Sequence, residues 1–469
     1  MTGKQKTKTI MMTEGVIWKQ LLAFSMPLLM GNLFQQLYNT VDSVVVGNYI
    51  GSEALAAVGS SNSLINLIIG MFMGIATGAG VIISQYYGGK EEQKLHWAVH
   101  TCMALSIWGG IFLTVLGIAI SPIILRWMGT PEEVMSNSVV YFRIFFGGSL
   151  FNLVYNMGAG ILRAVGDSRR PLYYLCVSSV VNIVLDLVFV VVFHMGVAGV
   201  GYATVTAQFI SAMLVMLALT RSNEAYRLEL SKIKIDKRMM SRILKIGIPS
   251  GVQQSIISLS NVIVQANVNS FGAAAMAGFG SYCKIDGFVM LPLQSFCMAA
   301  TTFTGQNVGA RNIPRVKKGI FQGLVIGAVY TAVMSAVLFF QVDRVLRIFS
   351  SDPAVLDYGH RTMYLLLPFY MTMTVHNILM GSFRGAGKTM VSMLIGVGNM
   401  CILRMIYINL AVPFFPSYGA VMLCYPITWI TTMLMDIVYC VKAKWLPRYT
   451  ITSESVKLPH PAVETVQKQ

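Results

Sequence analysis

Charged residues are scarce in this chain of 469 residues, and acidic residues are the scarcest. Only 12% of the residues are charged, with 19 Asp and Glu against 35 Lys and Arg. A soluble globular chain usually carries about 25% charged residues. Hydrophobic residues make up 55% of the chain, and the mean hydropathy is +0.64. A chain of this length has no core large enough to hide so much apolar surface from water, so we expect lipid to be its solvent.

Motifs of several metal-binding and enzyme classes are missing. The seven cysteines are odd in number and form no C-x-x-C pair, which argues against a disulfide framework or a zinc site. No H-E-x-x-H occurs. Residues 382–389 resemble a phosphate-binding loop, but Ser382 stands where that loop needs glycine, and no β-strand precedes it. We therefore expect no resident metal and no ATP site.

The net charge of +16 is concentrated in alternate connections between apolar stretches. This placement argues against nucleic acid as a partner and follows the rule that basic loops stay in the cytoplasm. The basic connections lie near residues 90–94, 163–170, 221–245, 311–318, 384–388 and 442–448. The intervening connections hold little beyond Arg126, Arg344 and Arg347. The alternation predicts an even number of spans in the cell membrane, with both termini in the cytoplasm.

Twelve apolar stretches are long enough to cross a bilayer, which predicts an all-α integral membrane protein. We place the transmembrane helices near residues 18–48, 54–84, 95–120, 136–161, 171–194, 197–220, 242–270, 275–304, 318–340, 360–383, 390–414 and 418–441.

An internal repeat divides these spans into two halves of six. Gly51, Gln85, Gly88, Asn156, Arg163 and Gly166 recur 221 positions later as Gly272, Gln306, Gly309, Asn377, Arg384 and Gly387, and Pro27 and Asn39 recur 222 positions later as Pro249 and Asn261. An even number of spans in each half makes the halves parallel repeats. We predict two pseudo-symmetric six-helix lobes, residues 1–220 and 242–448. A cytoplasmic linker at 221–241 joins them, and a polar cytoplasmic tail at 449–469 follows.

Two acidic residues fall inside predicted spans of the first lobe. Asp42 on span 1 and Asp186 on span 5 lie roughly 10–12 Å below the outer surface, at 1.5 Å per residue. Thr204 on span 6 reaches the same depth, and Asn182 shares a helix face with Asp186. Such oxygens suit Na⁺, and two neighbouring carboxylates can share one proton. We predict an ion- or proton-coupling site at these four residues, with any Na⁺ at Asp42, Asn182 and Asp186. The alternative is that Asp42 and Asp186 face a wet vestibule or satisfy backbone groups separately.

The second lobe lacks a matching carboxylate pair, because Val264 or Gln265 stands near the place of Asp42 and Arg404 near the place of Asp186. We therefore expect the ion to couple through the first lobe alone. Lys284 and Asp286 lie on different sides of span 8 and face either the cavity or a neighbouring helix. The candidates for the substrate cavity or its gating are Pro27, Gln35, Asn39, Asn261, Gln265, Lys284, Asp286, His376 and Arg404.

Several short segments share their pattern with one family of membrane proteins. They are PLL at 27–29 with DSVVVG at 42–47, QYYGG at 85–89, RAVGDSR at 163–169, NIVLD at 182–186, GVGYAT at 199–204, GQNVGA at 305–310 and FRGAGKT at 383–389. Together they resemble the MATE (multidrug and toxic compound extrusion) exporters over nearly the whole chain, except the first dozen residues and the tail after Arg448. The resemblance maps the first-lobe cation site of that family onto Asp42, Asn182, Asp186 and Thr204.

The resemblance implies a secondary active exporter that exchanges organic cations or amphipathic drugs for H⁺ or Na⁺ by alternating access. In the cycle that we expect, span 1 shifts near Pro27 or the adjoining Gly31. It implies no cofactor beyond the coupling ion. The expected partners are small-molecule drugs and membrane lipid, and we expect a monomer.

Two other functions remain open at this stage. A flippase for a lipid-linked or anionic precursor has a related architecture, and Arg143, Lys284 and Arg404 would suit its basic cavity. An intramembrane enzyme would need a metal motif, a nucleophile with its base or a phosphate site, and none is recognisable in the sequence.

Overall fold

The computed structural model of the protein describes residues 10–127 and 130–447, apart from the side chains of residue 43 and residues 52–68. The predicted tail at 449–469 and the first nine residues lie outside the described chain. The α-helices are α1 (Ile17–Val45), α2 (Ser52–Gly88), α3 (Glu92–Trp127), α4 (Glu132–Gly147), α5 (Ser149–Ala164), α6 (Arg169–Leu187), α7 (Gly196–Thr220), α8 (Lys237–Asn269), α9 (Ala273–Gly309), α10 (Ile313–Arg347), α11 (Pro353–Leu366), α12 (Tyr370–Gly385), α13 (Thr389–Val397), α14 (Arg404–Phe414), α15 (Tyr418–Met422) and α16 (Cys424–Lys442).

These helices form the twelve predicted spans. Within the described chain, nine helical segments are long and apolar enough to cross a membrane, and α4 with α5, which meet at a bend of 46°, make a tenth. The other two spans are α1 and α8, which begin the two halves. Both carry polar stripes, with Gln35 and Asn39 on α1 and Asn261 and Gln265 on α8. These polar residues lower the hydropathy of the two helices. The all-α membrane fold of twelve spans is confirmed.

Several spans are interrupted where the sequence predicted continuous helices. Span 4 bends at Gly148, between α4 and α5. Short π-helical segments, Val46–Ile50, Val188–Val192 and Gly398–Leu403, continue α1, α6 and α13. Span 7 begins at Lys237, before the predicted start at 242, because the side chain of Asp236 accepts a hydrogen bond of 2.8 Å from the amide of Met239 and caps the helix.

The internal repeat reappears in the helix boundaries. Helices α2 and α9 both contain 37 residues and begin at Ser52 and Ala273, which are 221 positions apart. The α4–α5 pair spans residues 132–164, and the α11–α12 pair spans the equivalent residues 353–385. Helices α1–α7 form one lobe and α8–α16 the other, and the two lobes are related by a pseudo-two-fold axis.

The lobes meet backbone to backbone where α2 crosses α8. Gly74 and Gly78 of α2 face Gly251 and Gly247 of α8, so that each helix presents a G-x-x-x-G pair to the other. A methyl group on Gly74 would lie 2.2 Å from the backbone nitrogen of Gly251, and one on Gly78 would lie 2.6 Å from that of Gly247. The crossing therefore requires residues without a side chain.

Two equivalent glutamines join the lobes at the end of the molecule that carries the 221–236 linker. Gln85 donates from Nε2 to the carbonyl of Gly385, and Gln306 donates from Nε2 to the carbonyl of Ala164, each over 2.9 Å. Donors and acceptors are both 221 positions apart, so the pseudo-two-fold axis exchanges the two bonds. We call this contact the linker-side closure, defined by Gln85, Gln306, Gly88 and Gly309.

Residues 10–15 lie across the linker-side closure. The amide of Met12 donates to Oε1 of Gln306 over 3.0 Å, and Nδ2 of Asn307 donates to the carbonyl of Met12 over 3.0 Å. The amide of Ile10 donates to the carbonyl of Gly166 in the first lobe over 3.3 Å. The segment before α1 is therefore bonded to both lobes at once.

Gln306→Ala is expected to destabilise the protein more than Gln85→Ala. Gln306 satisfies two backbone groups, the carbonyl of Ala164 and the amide of Met12, whereas Gln85 satisfies the carbonyl of Gly385. A buried polar group left without its partner costs about 1–3 kcal/mol. The midpoint of thermal unfolding in detergent should fall from wild type to Q85A and further to Q306A. An equal fall in both variants would contradict this account.

Candidate functional site

The first lobe brings Asp42, Asn182, Asp186 and Thr204 together, as the sequence predicts. Asp42 lies on α1, Asn182 and Asp186 on α6, and Thr204 on α7. Helix α6 packs between the other two. Each aspartate lies within four residues of the point where its helix changes from α to π geometry. Such π segments occur frequently at functional sites.

Five polar atoms of Asp42, Asn182 and Asp186 are buried without a hydrogen-bond partner in the described chain. Asp186 is 0% exposed, and neither of its carboxyl oxygens has a hydrogen-bond partner within the described chain. The same holds for both polar atoms of the Asn182 amide and for Oδ1 of Asp42. The carboxyl groups of Asp42 and Asp186 are close enough to interact electrostatically, and a hydrogen bond between them would need a proton on one of the two. We call these two residues the acid pair.

This arrangement suits a small cation or a proton. Two adjacent carboxylates that are shielded from water cannot both stay charged without a compensating ion or proton. The amide oxygen of Asn182 adds an uncharged ligand, and the Thr204 hydroxyl, which donates to the carbonyl of Val200 over 3.0 Å, keeps its lone pairs for another partner. In the described ranges, no group of three or more His, Cys, Asp or Glu residues is placed to hold a metal ion. Na⁺ bound by hard oxygens and a shared proton both fit the residues present.

Two tyrosines that the sequence analysis did not single out stand beside the acid pair. Tyr38 on α1 and Tyr141 on α4 are close enough to interact electrostatically with the carboxyl groups of both Asp42 and Asp186. Tyr38 precedes Asp42 by four residues, one helical turn, so its spacing was a usable signal. Tyr141 belongs to another span, and no local pattern connects it to Asp42.

A cavity of about 350 Å³ lies beside the acid pair. Asn182 and Thr204 line it, together with Pro27 and Gln35 from the predicted cavity set. Its volume falls within the range of small-molecule sites. Neither residue of the acid pair lines the cavity. Asp186 lies one turn beyond the cavity-lining Asn182 along α6. Further polar side chains in the lining are Asn32, Tyr38, Asn152, Tyr155, Asn156, Arg163, Ser178, Ser179, Gln208, Ser211, Gln294 and Ser295.

Arg404 is buried in the second lobe, Asn261 is exposed on α8, and neither lines this cavity. Arg404 is 2% exposed, and its Nη1 donates to Oδ1 of Asn261 over 2.9 Å. Its guanidinium carbon lies 4.6 Å from the centre of the Tyr425 ring. Gln265 donates to Oδ1 of Asn269 over 2.8 Å, one turn along α8. Asn39 is exposed on α1 and is not part of the cavity lining.

Lys284 and Asp286 point in different directions, Asp286 towards Tyr370 of α12 and Lys284 towards the turn that follows α10. Oδ1 of Asp286 accepts hydrogen bonds from the hydroxyls of Tyr370 at 2.7 Å and Tyr282 at 3.3 Å. Nζ of Lys284 lies 5.6 Å from the centre of the Phe349 ring. For Asp286 the contact with Tyr370 of α12 agrees with the predicted alternative of a neighbouring helix.

His376, a candidate for the substrate cavity or its gating, is absent from the lining of the cavity beside the acid pair. His376 is 3% exposed, and its Nδ1 lies 2.6 Å from Oδ2 of Asp436, which is 1% exposed. The pair is enclosed between α12 and α16 of the second lobe, away from the first-lobe cavity. The sequence analysis missed Asp436, although an acidic residue inside the predicted span 418–441 was itself a signal.

Comparison with known protein families identifies the fold. The MatE family model matches residues 27–188 and again residues 249–409. The chain belongs to the MatE family. The two matched segments begin 222 positions apart, like Pro27 and Pro249, so the family pattern follows the internal repeat. The first segment contains Asp42, Asn182 and Asp186. Membership of this family of multidrug efflux transporters makes the chain a transporter and not an enzyme.

Relatives of this MatE chain carry names that refer to drug resistance. Probable multidrug resistance protein YoeA of Bacillus subtilis is 29% identical over 396 residues, which cover 83% of this chain and 86% of that protein. Probable multidrug resistance protein NorM of Thermotoga maritima is 24% identical over 458 residues, which cover 94% and 96%. The solved structure of a multidrug resistance MATE family transporter in an outward-facing conformation superposes with a TM-score of 0.85 at 22% identity, over 93% of this chain and 97% of that one. The structural likeness establishes the twelve-helix, two-lobe fold.

Proposed function

We propose that this MatE protein is a secondary active exporter that moves drugs or organic cations out of the cell in exchange for inward H⁺ or Na⁺. The observation that carries the proposal is the acid pair, in which Asp186 is fully buried and three carboxyl oxygens lack a partner in the described chain, beside a cavity of about 350 Å³. The multidrug resistance names of YoeA and NorM support the substrate class.

Asn182 connects ion binding to substrate binding. Its side chain lines the cavity, while Asp186 lies one turn further along the same face of α6. When the acid pair is charged, it attracts a cation and orients nearby polar groups such as the Asn182 amide towards itself. When a proton or Na⁺ neutralises the acid pair, these polar groups are released, and the cavity changes shape and charge. The two ligands therefore compete through α1 and α6, which is the coupling that an antiporter needs.

Alternating access requires the linker-side closure to open. Positive-inside orientation of the basic connections would put both termini and the linker in the cytoplasm. The closure then blocks the cytoplasmic side, and the structure corresponds to an outward-facing state. Pro27 lines the cavity on α1 and cannot donate a hydrogen bond to the preceding turn, so it marks the point where α1 bends most readily.

The remaining partners follow from the same scheme. Lipid surrounds the helices, the coupling ion replaces ATP as the energy source, and neither nucleic acid nor a cofactor beyond that ion takes part. We expect the monomer to be sufficient. The residues that favoured a flippase do not line the cavity: Arg143 donates to Oγ of Ser121 over 3.2 Å, and Arg404 and Lys284 contact the second lobe. No second function is therefore proposed.

The test uses purified wild-type protein in vesicles and a cationic dye such as ethidium. An imposed gradient of H⁺ or Na⁺ should drive the dye in the opposite direction, and the matching ionophore, nigericin or monensin, should abolish that movement. Applying the gradients one at a time identifies the coupling ion. The proposal would be refuted if the rate of dye movement were the same with and without each gradient, or if dye movement required ATP.

A further inference from the structure

Arg163, at the end of α5, places an unpaired guanidinium in the first-lobe cavity. It lines the cavity and has no hydrogen-bond or ion-pair acceptor in the part of the chain that the structure describes. Its polar neighbour Tyr155 is already occupied, because the Tyr155 hydroxyl donates to the carbonyl of Pro171 over 3.3 Å. A guanidinium has five N–H donors and stays charged in proteins. The cavity thus contains strong donors that no described acceptor of the protein satisfies.

The equivalent arginine of the second lobe has an acceptor. Arg384 stands 221 positions after Arg163, and its Nη2 donates to Oε1 of Gln253 over 2.7 Å. Gln253 is 1% exposed and donates from Nε2 to the carbonyl of Ser392 over 3.2 Å. One glutamine therefore fills the space in front of the second-lobe arginine and satisfies it in part.

The residue that matches Gln253 in the first lobe is Gly31. The shift of 222 positions between Pro27 and Pro249 pairs these two residues, and the packing agrees. In the first lobe, a methyl group on Gly31 would lie 3.6 Å from Leu175. The equivalent of Leu175 in the second lobe is Gly396, 221 positions later. A methyl group on Gly396 would lie 2.4 Å from Nε2 of Gln253, so the same two positions face each other in both lobes. Gly31 also lines the cavity. The first lobe therefore keeps the arginine but lacks the side chain that would fill its pocket.

We propose that this gap is an anion subsite, in which Arg163 binds the carboxylate of a transported amphiphile. The assignment rests on the proposed export function and extends its substrates to amphiphiles that carry an acidic group, including zwitterions whose amine lies towards the acid pair. Guanidinium and carboxylate match in geometry and form two parallel charge-assisted hydrogen bonds. The low polarity of the membrane interior strengthens such a pair.

Two dyes that differ in one group test the subsite. Rhodamine 110 carries a free carboxylate, and rhodamine 123 is its methyl ester. Their dissociation constants are measured by fluorescence polarisation with the full chain in phosphatidylcholine nanodiscs. For each variant we divide the dissociation constant of the ester by that of the acid. A general loss of affinity raises both constants by the same factor and leaves this ester-to-acid ratio unchanged. The variants are R163Q, which removes the charge, and G31Q, which supplies the glutamine of the second lobe. R143Q, which changes an arginine away from the cavity, is the matched control.

Both R163Q and G31Q should lower the ratio by about tenfold or more, as expected for loss of a charge-assisted pair, whereas R143Q should leave it at the wild-type value. If R163Q does not fold, G31Q gives the same answer with the arginine in place. An unchanged ratio in R163Q and G31Q, with the ester still bound, would overturn the subsite and leave the exporter function standing. Failure of the wild type to bind either dye would count against both.

A lipid phosphate is the other source of an anionic group. Replacing half of the phosphatidylcholine with phosphatidylglycerol should leave the difference in ratio between wild type and R163Q intact. If phosphatidylglycerol instead weakens binding of the acid dye in the wild type but not in R163Q, Arg163 holds a lipid headgroup, and the assignment to a transported carboxylate is wrong.

Discussion

Substitution of Asp186 by asparagine is expected to stop ion-driven efflux while the protein stays folded, and Asp42→Asn should do the same. Asparagine keeps the size of the side chain but can neither take up a proton nor supply a charge for Na⁺. Coupling free energies of about 1–3 kcal/mol correspond to roughly 5–150-fold effects, so we expect at least a tenfold loss of initial efflux rate in vesicles. Because Asp186 is fully buried without a partner, its neutralisation should not lower the thermal unfolding midpoint.

Asp343→Asn is the matched control for these two variants. Asp343 is an exposed carboxylate on α10, and its Oδ2 accepts a hydrogen bond from Nε of Arg347 over 2.7 Å. Exposed ion pairs of this kind contribute about 0–1 kcal/mol to stability, so D343N should transport like the wild type. Wild-type efflux by both D42N and D186N would remove the acid pair from the mechanism, even with the fold unchanged.

The number of spans and the acid pair could be predicted from the sequence because both depend on length along the chain. A bilayer requires apolar runs of about 20 residues, and the constant rise of a helix converts position into depth. Counting from the ends of spans 1 and 5 was therefore enough to bring Asp42 and Asp186 to one level. The repeat likewise identified Gln85 and Gln306 as equivalent residues, although it gave them no role.

The contacts between the lobes could not be predicted in the same way. Gln85 and Gly385 are 300 residues apart, and their hydrogen bond exists only because the two lobes dock about a pseudo-two-fold axis. The sequence shows glycines at positions 78 and 247, but their meeting depends on the crossing of α2 and α8. The exposure of Arg163 to the cavity depends on the missing side chain at Gly31, and a pattern search that looks for functional side chains overlooks a glycine.

Adding one methyl group at Gly88 or Gly309 is expected to force the linker-side closure apart. A Cβ on Gly88 would lie 1.9 Å from the carbonyl oxygen of Gln306, and one on Gly309 would lie 1.9 Å from that of Gln85. Both obstacles are backbone atoms of the other lobe, so no side chain can rotate to make room. The lobes must separate by about 1 Å, which exceeds what close-packed helices absorb without rearranging. Both glutamine bonds should then weaken, and transport should fall because one of the two alternating states loses stability.

Spin labels on Glu92→Cys and Lys317→Cys, two exposed sites on opposite lobes beside the closure, measure this separation by double electron–electron resonance after the seven native cysteines are replaced. G88A and G309A should each lengthen or broaden the distance distribution relative to the same labelled chain without the glycine substitution. Gly287→Ala is the control, because it adds a methyl group to α9 where no atom lies within 4 Å. Since the pseudo-two-fold axis exchanges Gly88 and Gly309, the two variants should behave alike. Distances that stay unchanged in both would show that the backbones of α2 and α9 do not meet as closely as described.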